Sequence, residues 1–125
     1  MNKQIKILLV DDEPDFAKSM SYWFESKGYF VMVANNGEDA LKLIKGITPD
    51  IVFLDIVMPQ MDGLTVLERI REFNKTLPVI LMSAFVEKTS DEKKDNLYGV
   101  SRIFFKEDDF SKAEALLESA LKIKR

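Results

Sequence analysis

A chain of 125 residues, 46% of them hydrophobic, has the size of one domain with one core. Its 18 basic and 21 acidic residues leave a net charge of −3, which offers no electrostatic basis for binding nucleic acid or an anionic membrane. Cysteine and histidine are both absent, which excludes disulfides, thiol chemistry, thiolate or imidazole metal sites, Ser-His-Asp catalysis and a phosphohistidine on this chain.

The N-terminal stretch MNKQIKILLVDD has too short an apolar run for a signal peptide. No run is long enough to span a bilayer, so the expectation is a soluble, cytoplasmic protein. The first strand is predicted over 5–10 (IKILLV) and runs into Asp11 and Asp12. Residues 14–27 space Phe16, Met20 and Phe24 at i, i+4 and i+8, with Pro14 near the start and Gly28 just past the end, which predicts a helix. A second strand covers 30–34 (FVMVA). A helix over 38–45 then places Ala40, Leu41 and Ile44 on one face. The third apolar run, 51–54 (IVFL), has the character of a strand buried on both faces, and it ends on Asp55. Leu64, Leu67 and Ile70 align along a helix over 63–74. The fourth strand, 79–82 (VILM), ends on Ser83. Residues 90–98 (SDEKKDNLY) offer only Leu97 and Tyr98 as an apolar face, and a helix is expected there on topology alone. Residues 86–98 as a whole carry too little apolar surface to offset the entropy of ordering and are expected to be mobile in the unliganded chain. The fifth strand, 103–105 (IFF), ends on Lys106. Ala113, Leu116, Leu117, Ala120 and Leu121 form the stripe of the last helix, and Ser111 with Glu114 is expected to form a capping box in front of it.

Strands that alternate with helices predict an α/β fold. The expected form is a doubly wound five-stranded parallel sheet in the order 2-1-3-4-5, flavodoxin-like, with helices on both faces and one domain over 1–125. In such a sheet ligands bind beyond the carboxyl ends of the strands where the order reverses, between strands 1 and 3. Asp11, Asp12, Asp55, Ser83 and Lys106 all end strands at that edge. Taken singly, each has an ordinary reading: helix cap, turn residue or solvated side chain. Taken together, three carboxylates in one crevice repel one another and call for a cation. Hard oxygen ligands beside water suit Mg2+, with Mn2+ as a substitute ion. A carboxylate in that setting can attack phosphorus, with Lys106 and Ser83 supplying a cation and a hydroxyl donor for the phosphoryl oxygens.

The stretches ILLVDDEP, GYFVMVANNGEDAL, PDIVFLDIVMPQMDGL, LPVILMSA and IFFK, in this order and spacing, resemble a response-regulator receiver domain of two-component signalling from about residue 5 onward. The resemblance implies that Asp55 accepts a phosphoryl group from a histidine kinase or a histidine phosphotransfer protein. It implies that Asp11, Asp12, Asp55 and the main-chain carbonyl of Val57 hold Mg2+, and that Ser83 and Lys106 read the phosphorylated state. It further implies a switch of binding to an output partner protein, with no direct nucleic-acid or membrane contact. The chain would be a monomer or a weak, phosphorylation-dependent dimer, and not a turnover enzyme on an external substrate. Met58-Pro59 and Asp62-Gly63 match the family's loop, where turn and helix-start roles suffice.

Three positions depart from the family. Glu107 replaces the usual proline after Lys106, so a trans peptide and a shifted loop are expected. Ile103 stands where a Tyr or Phe switch is common, and the fourth helix is unusually polar. Two rivals fit less well. An aspartate-nucleophile phosphatase would need an acid two residues after Asp55, where Val57 stands, and a pseudo-receiver would not keep the full polar set. Val57 and Phe85 are expected to flank the approach of water to the phosphoryl group and to slow its hydrolysis. The chain closes on KIKR, so the expectation is either a single-domain regulator or a piece of a longer one.

Overall fold

The computed structural model describes residues 4–84 and 100–123. Strands β1 (Lys6–Val10), β2 (Phe30–Ala34), β3 (Ile51–Asp55), β4 (Val79–Ser83) and β5 (Val100–Phe105) form one sheet in the order β2-β1-β3-β4-β5, every neighbouring pair parallel. Helices α1 (Pro14–Ser26), α2 (Gly37–Ile47), α3 (Gly63–Phe73) and α4 (Phe110–Ala120) connect and follow them. The expected strand order is the observed one. The helix expected over 90–98, and the mobility expected of 86–98, lie outside the described residues.

Side chains alternate across each strand, and this divides the core into two layers. Leu8, Val10, Val52, Leu54, Val79 and Leu81 face α2 and α3, packing on Ala40, Ile44, Val66, Leu67 and Ile70. Ile7, Leu9, Ile51, Phe53, Ile80, Met82 and Phe104 pack with Ala17, Met20 and Phe24 of α1 and Ala113 and Leu117 of α4. Residues 51–55 are buried throughout, as a central parallel strand covered on both faces requires.

Local signals set the helix ends. Pro14 opens α1, and Gly28, at φ 96°, turns the chain after it in the left-handed region that glycine adopts without strain. Asn36 and Asp62 cap α2 and α3 by accepting the amides of Asp39 (2.8 Å) and Thr65 (2.9 Å). The capping box expected at Ser111 does not form. The N-cap of α4 is Asp109, which puts Ser111 inside the first turn. The Glu114 carboxylate instead accepts the hydroxyl of the buried Tyr29 at 2.8 Å. A bond to a residue of the same layer, distant in sequence, takes the place of the local one. β5 also begins three residues before the expected start, because its backbone continues to pair with β4 from Val100.

Candidate functional site

Register brings the strand ends level. Val10 pairs with both Ala34 and Leu54, Asp55 with Met82, and Ser83 with Phe105. Asp11, Asp55 and Lys106 therefore emerge side by side. Asp55 and Lys106 continue the parity of Phe53 and Phe104, and Asp11 that of Leu9, so all three belong to the α1 side of the sheet. The Asp11 amide donates to the carbonyl of Ala34 (3.1 Å), which ties the end of β1 to the end of β2.

Lys106 is the hub. Its ammonium lies 2.8 Å from Asp11 Oδ2, 3.0 Å from Asp55 Oδ2 and 2.7 Å from Glu13 Oε1, and 4.8 Å from the centre of the Phe16 ring. Asp11 and Asp55 are buried, whereas Asp12 is the partly exposed member of the aspartate set. One oxygen from each of Asp11, Asp12 and Asp55 falls within 4.8 Å of the others. Ser83 closes β4 beside them, and its carbonyl accepts the Lys106 amide at 2.8 Å. Val57, 77% exposed, directs its amide to Asp55 Oδ1 at 3.3 Å. Phe85 lies outside the described residues. The peptide joining Lys106 to Glu107 is trans, as expected.

Burial dominates the electrostatics. It pushes the Asp55 carboxyl up to about 6, aided by the neighbouring charge of Asp11 and opposed by the hydrogen bond from Lys106. Burial raises Asp11 too, against the nearby Lys106 ammonium and the hydrogen bond from the Glu13 amide. For Lys106 burial acts to lower the pKa, but its contacts with Asp11, Glu13 and Asp55 outweigh it and hold the ammonium firmly charged. Three carboxylates thus contact one ammonium. Asp11 Oδ2 is buried and meets Lys106 as an ion pair without accepting a hydrogen bond. An under-satisfied carboxylate oxygen within a converging all-oxygen set fits a small, hard divalent cation such as Mg2+.

Three features of this site escaped the sequence reading. Glu13 reaches Lys106 although it is 93 residues away in sequence. Phe16, assigned to the core stripe of α1, places its ring near the ammonium. Gly63 fills more than a turn role: a Cβ there would collide with the main-chain carbonyl of Asp55, and its amide donates to Ile56 O at 2.8 Å. For Glu13, its place directly after two aspartates and before Pro14 was the available signal.

Residues 7–118 match the response regulator receiver domain, and the chain belongs to that family. Such domains are signalling modules that work with histidine kinases or phosphotransfer proteins and with output partners. The chain is similar to the Regulator of RpoS of Escherichia coli K12, at 41% identity over 101 residues, covering 81% of this chain and 30% of that protein. It thus spans under a third of that relative's length. Among solved structures it resembles the Francisella response regulator 1452 receiver domain (27% identity, TM-score 0.87, 95% of this chain and 98% of that one). It also resembles the Thermotoga maritima response regulator TrrA in complex with Mg(2+)-BeF (30% identity, TM-score 0.82, 94% and 100%). Among the described residues no helix is long and apolar enough to cross a membrane.

Proposed function

We propose that Asp55 accepts a phosphoryl group from the phosphohistidine of a histidine kinase or phosphotransfer protein, and that this changes how the chain binds an output partner. The observation that carries the reading is the convergence of Asp11, Asp12 and Asp55, with Lys106 joining the two buried carboxylates. An Asp55 oxygen attacks phosphorus, the bond from phosphorus to the imidazole nitrogen breaks, and the donor histidine leaves neutral. The Val57 amide, bonded to Asp55 Oδ1, orients the carboxylate so that Oδ2, on the Lys106 side, is the attacking atom. Lys106 meets the charge of the transferred oxygens, and Ser83 contributes a hydroxyl on the β4 side. Asp11, Asp12, Asp55 and the Val57 carbonyl would hold Mg2+, which supplies charge neutralisation for phosphoryl oxygens.

Val57, open at the mouth of the site, offers no side-chain hydrogen bond to an attacking water, which supports slow loss of the phosphoryl group. The reading is tested by mass spectrometry after incubation with acetyl phosphate and Mg2+. One phosphoryl mass should appear, and it should be absent with EDTA or in Asp55→Asn. Full labelling of Asp55→Asn would refute it.

A further inference from the structure

The Lys106 ammonium donates to Glu13 Oε1 at 2.7 Å and Asp55 Oδ2 at 3.0 Å, and forms an ion pair with Asp11 Oδ2 at 2.8 Å. A phosphoryl group on Asp55 Oδ2 takes over the N–H that faced that oxygen, and it gains a second only if Glu13 or Asp11 yields. Asp11 is buried, so it can let go of Lys106 only where a cation takes its place. The Glu13 side chain is 63% exposed, and water replaces its contact at once when it swings out. Glu13 is also held where it can compete. Its amide donates to Asp11 Oδ1 at 2.8 Å, Pro14 follows it, and although it is the N-cap of α1 its side chain makes no capping bond. Its carboxylate is therefore not committed to the helix. Between two solvated side chains such a pair would matter little, but the Lys106 side chain is only 9% exposed, which limits screening.

We infer that Glu13 is a positioning residue, a solvent-side latch that occupies Lys106 in the unphosphorylated chain and competes with the phosphoryl group for it. The inference rests on the reading of Asp55 as phosphoacceptor. Glu13→Gln removes the charge and Glu13→Ala the whole arm, and neither deletes a capping bond. Binding of beryllofluoride, a phosphoryl mimic, is measured with Mg2+ through amide chemical shifts of the wild type and both variants. The variants should bind several-fold more tightly, Ala at least as tightly as Gln. In the metal-free chain, hydrogen exchange of the Lys106 ammonium should quicken several-fold in both, a change that a role confined to helix stability would not produce. Affinity no tighter than wild type, or unaltered exchange, overturns the latch alone. A wild-type chain that neither binds beryllofluoride nor is labelled by acetyl phosphate overturns the phosphoacceptor reading, and the latch with it.

Discussion

Asp55 is held in a setting that disfavours its own charge. Its carboxyl titrates near 6 in the folded chain and near 4 when unfolded, so between those values the folded state binds a proton that the unfolded state lacks. Stability therefore falls as pH rises from about 4 to about 6 and levels off above. Asp11 is shifted the same way and steepens the slope. Asp55→Asn should flatten this profile and raise metal-free stability at pH 7 by on the order of 2 kcal/mol, read from urea unfolding at several pH values. A variant less stable than wild type at pH 7 would show that the Lys106 contact outweighs burial. At Val57 the expectation is kinetic. Val57→Asn, which adds a group able to hold water, should speed decay of the aspartyl phosphate several-fold, and adding Phe85→Glu should speed it further. Decay no faster than wild type in the double variant would remove both residues from control of water access.

Among the elements, helix starts differ in what they do for the site. Asn36 is bonded to the Asp39 amide, so Asn36→Ala should cost about 1 kcal/mol. Ser111 caps nothing, so Ser111→Ala should stay within roughly 0.5 kcal/mol, a contrast visible in thermal melts of the two variants. The start of α3 is more demanding. Gly63 lies against the Asp55 carbonyl, and no side-chain rotation can relieve a collision with backbone. Gly63→Ala should displace the β3 end as well as destabilise it. Phosphorylation by acetyl phosphate should then slow even at temperatures where the variant is fully folded. Normal labelling would show that the loop absorbs the added methyl elsewhere.

For the molecule as a whole, the sheet separates two apolar layers, and Phe53 is central to the one shared with α1 and α4. It is fully buried, with its ring 5.6 Å from that of Phe24. Phe53→Ala should cost roughly 3–5 kcal/mol, a large share of the stability of a domain this size. Fluorescence of Trp23, which packs against this layer, and far-UV circular dichroism should both report the loss in urea. Little change in the urea midpoint would mean that the layer repacks around the void. The same rigid sheet holds Asp11, Asp55 and Lys106 in register, so chemistry at the strand ends depends on packing several residues away.

The strand order and the edge at which the polar residues gather were readable from the chain, because alternating apolar runs and right-handed crossovers leave few arrangements. Asp11, Asp12, Asp55, Ser83 and Lys106 could be picked out because each interrupts or ends an apolar run. Contacts made through space, between residues distant in sequence, were not readable. The Ser111–Glu114 box followed from local spacing and lost to a hydrogen bond from Tyr29, 85 residues from Glu114. Glu13 carried no role in the sequence until β5 brought Lys106 to within 2.7 Å. Gly63 looked like a turn until the Asp55 carbonyl was placed against it. Periodicity and chain order determine which elements form and how they are layered. Which side chains share a cation, and which glycine must remain one, is decided only when the tertiary structure sets distances of a few ångströms between distant segments.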